Sequence, residues 1–128
     1  MLTKIEGQKY NWIDSNDIYV GYDTATDCCE DAGWYLRYEP TPYSEYDSDL
    51  DIKFNNTDLT DYKFDVMGEA IGIDYQVDHE GDLDEGGIVV FRLLHPSKPP
   101  LYLHLYNCHN GYYGHEVLTN IPNKNICL

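Results

Sequence analysis

The sequence predicts an α+β fold, mainly an antiparallel β-sheet arranged as a meander, with one short helix near residues 27–38. Three observations lead there. Several segments alternate apolar and polar residues with period two. One segment has apolar residues at helical spacing. Thirteen tyrosines are present, and Tyr suits half-buried sheet positions. Because 128 residues is an ordinary size for one domain, we expect a single acidic β-rich domain over 1–128.

Short strands are predicted in the first two thirds of the chain from the alternation of apolar residues. Ile18, Val20 and Tyr22 are spaced to share one face of a strand. Three further segments have the same spacing: Leu50, Ile52 and Phe54; Tyr62, Phe64 and Val66; and Ile71, Ile73, Tyr75 and Val77.

The predicted helix begins at a capping pattern. Asp27 is a suitable N-cap, and Glu30 stands at the position of its capping-box partner. Pro40 requires the helix to end before it, since the residue preceding a proline avoids helical angles. The apolar face would consist of Cys28, Cys29, Ala32, Tyr35 and Leu36.

A three-stranded meander is predicted near the C-terminus. Residues 88–94 are apolar almost throughout, which is typical of a strand buried on both faces. Three prolines in 95–100 break the ladder, so 88–94 and 101–107 should form an antiparallel hairpin. An Asn-Gly turn then leads into a third strand over 112–118. In 101–107, parity places Leu101, Leu103 and Leu105 in the core and leaves Tyr102, His104 and Tyr106 at least partly exposed.

The charge of the chain narrows the class of partner. Eight Lys and Arg residues against twenty-three Asp and Glu give a net charge of -15. Nucleic acids and anionic membranes require clustered cations, so we expect neither direct nucleic-acid binding nor membrane binding. The first residues lack the apolar core of a signal peptide. We therefore expect a cytoplasmic protein whose four cysteines are free thiols.

Two residue groups are candidates for metal chemistry. The pairs Cys28-Cys29 and Cys108-His109 offer zinc ligands or a reactive thiol, but neither has the spacer that lets two ligands reach one ion. The segment 47–51 resembles a calcium loop, yet Ile52 stands where the sharp turn requires glycine. We therefore predict packing roles for the cysteines, with no bound metal and no cofactor.

Two short motifs carry a family resemblance. The first is Asp27-Cys28-Cys29-Glu30, and the second contains Asn110, Gly111, Tyr112, Tyr113 and Glu116. Together they resemble an uncharacterised family of small bacteriophage and bacterial domains, which carry a DCCE motif and a C-terminal strand similar to SNGYYSE. The chain departs from that pattern at His115, which replaces a small polar residue. The resemblance implies an α+β fold and a phage or mobile-element setting, but no activity.

Three functional hypotheses follow. The first is a non-enzymatic inhibitor or immunity-type protein that binds a basic site on a host or defence protein, including by mimicry of nucleic acid. The second is a thiol- or zinc-dependent enzyme using Cys28, Cys29, Cys108 and His109. The third is a small-ligand binding module on a Tyr-lined sheet. For the first, the expected partner-binding carboxylates are Asp47, Asp49, Asp51, Asp78, Glu80, Asp82, Asp84 and Glu85.

Overall fold

The structure is a computed structural model that describes residues 1–26, 31–40, 51–53, 59–66, 73–75, 85–109, 115–121 and 126–128. Every regular element in these residues is a β-strand. In chain order the strands are β1 (Leu2–Glu6), β2 (Lys9–Ile13), β3 (Tyr19–Asp23), β4 (Asp31–Arg37), β5 (Lys63–Phe64), β6 (Ile73–Tyr75), β7 (Glu85–Leu94), β8 (Leu101–His109), β9 (Glu116–Thr119) and β10 (Ile126–Cys127).

The first sheet has the strand order β1-β2-β3-β9-β10, and all of its pairs are antiparallel. Its first three strands form a meander with two tight turns. Gly7 and Asp17 take positive φ angles of 62° and 60° in these turns, as tight reversals require. The predicted strand around Val20 and Tyr22 is confirmed, and both side chains are buried.

The second sheet has the order β4-β8-β7-β5, and β6 pairs with β7 beside β5. The predicted hairpin of 88–94 and 101–107 is confirmed, with Leu93 opposite Leu101 in the register. Ile88, Val89 and Val90 are all fully buried, so β7 is covered on both faces as its unbroken apolar run predicted.

The predicted meander does not continue beyond β8. On its other side, β8 pairs with β4. In this antiparallel pairing Asp31 lies opposite Cys108 and Arg37 lies opposite Tyr102. Strand β9 instead pairs with β3 and β10 in the first sheet. The predicted turn at 110–111 lies outside the described residues. The C-terminal part of the chain therefore crosses from one sheet to the other.

The helix predicted near 27–38 is wrong, because residues 31–37 form β4 and the described residues contain no helix. Tyr35, Leu36 and Arg37 are consecutive and all buried, since this strand is covered on both faces. Such a run imitates helical spacing over a short window. Gly33 supports the strand instead: its β-carbon would lie 2.6 Å from the Tyr106 hydroxyl, because the Tyr106 ring covers this position.

The hydrophobic core lies between the two sheets, which pack face to face as a β-sandwich. Trp12 and Val20 from the first sheet meet Leu36 and Phe91 from the second. The predicted alternation of core-facing and exposed side chains in β8 is confirmed for the three leucines, which are buried: Leu101, Leu103 and Leu105. It is also confirmed for Tyr102 and Tyr106, which are half-buried. It is wrong for His104, which is 0% exposed.

Candidate functional site

The candidate site is a groove on the outer face of the first sheet, the face that points away from the core. It has a volume of about 590 Å³, within the range typical of ligand-binding pockets. We call it the Gly21 groove, after the residue at its floor. Its principal walls are Asn11, Tyr19, Asp23, Glu116 and Leu118.

The groove exists because a glycine occupies the middle strand of the first sheet. Gly21 has Asn11 as its partner on β2 and Leu118 as its partner on β9. A β-carbon on Gly21 would lie 3.5 Å from Leu118 Cβ and 3.7 Å from Asn11 Oδ1. These are ordinary contact distances, so the missing side chain leaves a real gap between its neighbours.

One end of the groove is charged. Lys9 has Glu6 on one side and Asp23 on the other in the strand register. Glu116, the first residue of β9, is exposed and lines the groove as well. Lys4 faces Asn11 from β1, so three carboxylates accompany two lysines in this part of the sheet, and the balance is still negative. Opposite charges on neighbouring strands attract one another, so Glu6 and Asp23 partly offset the charge of Lys9.

The other end of the groove is apolar. Tyr19 and Leu118 remain 36% and 56% exposed although they sit in regular strands. Leu2 and Ile13 continue this apolar side, since they lie in the same row of the register as Tyr19. The face thus combines exposed apolar side chains with an acidic border, a composition found at protein interfaces.

Asn11 contributes an oxygen atom with unused hydrogen-bonding capacity. Its Oδ1 atom is buried, and no described residue supplies a hydrogen-bond donor to it. A buried acceptor without a donor costs free energy, roughly 1–3 kcal/mol. The atom has almost no surface in contact with solvent, so a donor from a ligand recovers that energy only when the Asn11 side chain turns towards the groove.

His115 fixes the charged end of the groove. Its Nδ1 atom donates to the backbone oxygen of Asp23 at 2.6 Å, and its ring lies 5.8 Å from the ring of Tyr22. Its backbone exchanges two hydrogen bonds of 2.7 Å with Leu128. Tyr22 in turn donates to the backbone oxygen of Tyr106 at 2.8 Å, which ties this end to the second sheet. The groove is therefore part of a rigid scaffold.

Of the carboxylates expected to bind a partner, Asp51 and Glu85 lie in the described residues. The Oδ1 atom of Asp51 accepts a hydrogen bond from Arg37 Nε at 3.0 Å, in an ion pair. Glu85 is the first residue of β7. The remaining members of that set lie outside the described residues: Asp47, Asp49, Asp78, Glu80, Asp82 and Asp84.

The motif residues have a similar distribution. Glu116 lies in the Gly21 groove, whereas the others fall outside the described part of the chain: Asp27, Cys28, Cys29, Glu30, Asn110, Gly111, Tyr112 and Tyr113. Of the four proposed zinc or thiol residues, Cys108 and His109 end β8. Within the described residues, no three His, Cys, Asp or Glu side chains are grouped closely enough to hold a metal ion.

His104 belongs to a buried cluster on the second sheet. Its ring stacks on Tyr35 with 4.3 Å between ring centres, and Arg37 lies over the same Tyr35 ring at 4.9 Å. Burial lowers the pKa of His104 to about 4, although hydrogen bonds with the backbone of Tyr102 and Tyr35 act in the opposite direction. The imidazole is therefore neutral near pH 7 and packed among rings, which is a structural role.

The sequence contained one signal for the groove. A glycine within a strand often marks a close approach of another group or a gap in the surface, and Gly21 lies between the buried Val20 and Tyr22. The neighbours of Gly21 could not be inferred, since Leu118 is almost a hundred residues away and pairs through a long-range register.

No helix in the described part of the chain is long and apolar enough to cross a membrane. Comparisons with known proteins found no matching family model, no matching curated protein and no matching solved structure. The resemblance to a phage and bacterial domain family therefore stays a prediction, and the function has to be argued from the site itself.

Proposed function

We propose that this chain is a non-enzymatic, acidic interaction protein that binds a basic site on another protein. The partner would be a host or defence protein, and the chain would act in the cytoplasm as a phage or mobile-element inhibitor or immunity-type protein. The observation that carries the proposal is the Gly21 groove, which combines apolar walls with an acidic border on a rigid sheet. It belongs to a chain with a net charge of -15.

The composition of the groove supports protein binding. Exposed Tyr19 and Leu118 supply apolar contact area, and tyrosine is among the residues that contribute most to protein interfaces. Asp23 and Glu116 supply acidic groups at the border, where charge sets orientation and excludes wrong partners. A regular sheet presents these side chains with little loss of conformational entropy on binding.

The acidic segments 47–51 and 78–85 have a second part in the proposal. Their carboxylates add to a negative field that attracts a basic partner from a distance and raises the association rate. In this arrangement the segments speed the encounter, whereas the groove holds the bound partner.

The first test is a selection of ligands. The purified chain is used to select from a displayed library of protein fragments, with a folded protein of equal negative charge as the control target. We expect the chain to enrich Lys- and Arg-rich fragments that the control does not enrich. Enrichment without a bias towards basic fragments would contradict the proposal.

We expect the neutralised variant Asp82→Asn, Asp84→Asn, Glu85→Gln to bind the selected fragment more slowly, because it removes three charges that attract the ligand. The wild-type association rate should fall by about tenfold or more as salt rises from about 0.05 to 0.5 M, since screening shortens the range of charge interactions. Thermal stability should be unchanged, because neighbouring like charges repel one another and their removal costs the fold little. Stopped-flow or surface-based kinetics measure the rates.

Two results would count against electrostatic attraction. The first is an association rate that ignores salt. The second is a wild-type rate in a protein that combines the triple variant with neutralisation of Asp47 and Asp49, while Asp51 keeps its ion pair with Arg37.

A second candidate function is a small-ligand binding module. It is favoured by the volume of the groove, about 590 Å³, and by the partly exposed ring of Tyr19 in its lining. A screen of small aromatic and basic compounds by nuclear magnetic resonance distinguishes the two functions. This second function would require a compound that binds the groove more tightly than any selected protein fragment does.

A further inference from the structure

We infer that the Gly21 groove is a receptor for one cationic side chain of the partner, a lysine or an arginine. This inference rests on the proposed function and specifies the partner group that the groove recognises. The juxtaposition that supports it is a gap above Gly21 bounded by Leu118 and Tyr19 on its apolar sides and by Asn11 and Asp23 on its polar sides.

The apolar sides suit the hydrocarbon part of such a side chain. Lysine and arginine carry three or more methylene groups that prefer contact with apolar surface while the charged head stays near polar groups. Leu118 is 3.5 Å from the position of a β-carbon at Gly21, so a stem in the gap would be in contact with it. The Tyr19 ring can pack against the stem or receive the cation on its face.

The polar sides suit a group that only donates hydrogen bonds. Asn11 Oδ1 is a buried acceptor to which no described residue donates. Asp23 uses Oδ1 to accept from the backbone N–H of Ala25 at 2.9 Å, which holds the carboxylate in position beside the gap. An ammonium or guanidinium group donates to several acceptors and accepts from none. A carboxylate ligand would instead place acceptor against acceptor.

Lys9 does not reverse this preference. It faces Glu6 and Asp23 across the two neighbouring strand pairs, whereas Gly21 faces Asn11 and Leu118. With Lys4 opposite Asn11 on β1 and Glu116 on the same border, the charged side chains near the gap carry two positive and three negative charges, so the balance stays negative.

The experiment is a titration of the ¹⁵N-labelled full chain, followed by nuclear magnetic resonance, with three capped pentapeptides that have glycine at the other four positions. Their central residue is lysine, arginine or norleucine, so norleucine retains the stem but lacks the charge. We expect the lysine and arginine peptides to shift the Gly21 backbone amide and the Asn11 side-chain amide. Their affinity should exceed that of the norleucine peptide by about tenfold.

Variants at the floor and the border test the geometry. Gly21→Val should lower affinity for the cationic peptides by about tenfold, because it fills the gap, while valine suits a strand. Gly21→Ala adds one methyl group at ordinary contact distance and should have a smaller effect. Asp23→Asn should weaken binding more than Asp61→Asn, an exposed control outside the groove with the same change in charge. Thermal unfolding verifies that each variant is folded.

The possible outcomes separate the inference from the proposed function. Equal affinity for the norleucine and lysine peptides would overturn the inference, as would cationic peptides that bind Gly21→Val as tightly as wild type. If selected basic fragments still bind in those cases, the proposed function stands with a different contact surface. If no basic fragment is selected and no cationic peptide binds, both fail.

Discussion

Replacing Asp14 with alanine is expected to lower the free energy of unfolding by about 3–5 kcal/mol. Asp14 is only 4% exposed, at the turn between β2 and β3. Its Oδ1 atom accepts from the backbone N–H groups of Asn16 and Ile18 at 2.9 and 3.0 Å. Its Oδ2 atom accepts from the buried N–H of Phe64, in β5 of the second sheet, at 3.0 Å. One carboxylate thus shapes a turn and joins the two sheets.

The expected loss of stability is this large because alanine removes the acceptor of three hydrogen bonds and leaves their N–H donors without it. Hydrogen bonds to a charged acceptor contribute roughly 1.5–3 kcal/mol each, and an unpaired buried N–H adds a desolvation cost. The two turn N–H groups can recover part of that loss by bonding water, whereas the N–H of Phe64 is buried. We therefore expect Phe64 to lose hydrogen-exchange protection more than its neighbours in β7 do.

Two variants serve as controls in the same chemical denaturation experiment. Asp14→Asn keeps an oxygen for the turn but presents an amide group to the N–H of Phe64, so an intermediate loss is expected. Asp17→Gly changes an exposed residue of the same turn at a positive φ of 60°, and it should stay within about 0.5 kcal/mol of wild type. A loss below about 1 kcal/mol in Asp14→Ala would show that the carboxylate does not join the sheets.

Acid is expected to destabilise the protein through His104 by up to about 3 kcal/mol. Burial lowers the pKa of His104 in the folded state to about 4, against 6.5 when it is exposed. Between these two values the unfolded chain binds a proton at His104 and the folded chain does not. Stability from this residue is therefore fully present above pH 6.5, falls as the pH decreases, and reaches its minimum below about 4.

The variant His104→Gln isolates this contribution, because glutamine can donate to the same backbone carbonyl groups without titrating. Twenty-three carboxylates also titrate at low pH, but they are shared by both proteins, so their effects largely cancel in the difference. We expect the stability of wild type relative to the variant to decrease from about pH 7 to about pH 4 in urea unfolding. If the unfolding free energies of wild type and His104→Gln change with pH in parallel, His104 titrates normally in the folded protein.

The sequence predicted the parts of the fold that depend on local pattern. The hairpin of β7 and β8 was evident from an apolar run, a loop with three prolines and strict alternation in Leu101, Leu103 and Leu105. Strand β4 was mistaken for a helix because both of its faces are buried, which removes the period of two.

The parts that depend on distant pairing could not be predicted. Nothing local indicates that β9 lies beside β3, although this pairing creates the Gly21 groove. Asp14 is one of twenty-three acidic residues, and only its position opposite Phe64 distinguishes it. His104 alternates with tyrosines as an exposed residue would, and its burial depends on what packs over the second sheet.

The central claim is that the outer face of the first sheet binds a basic partner. The most direct measurement is a map of backbone amide chemical shifts in the full chain, without and with the tightest basic fragment from the selection. The account predicts that the largest changes fall on Tyr19, Gly21 and Leu118, and that Gly21→Val weakens binding of the fragment by about tenfold. Changes confined to β4 and β8 of the second sheet, or to residues 78–85 alone, would contradict it.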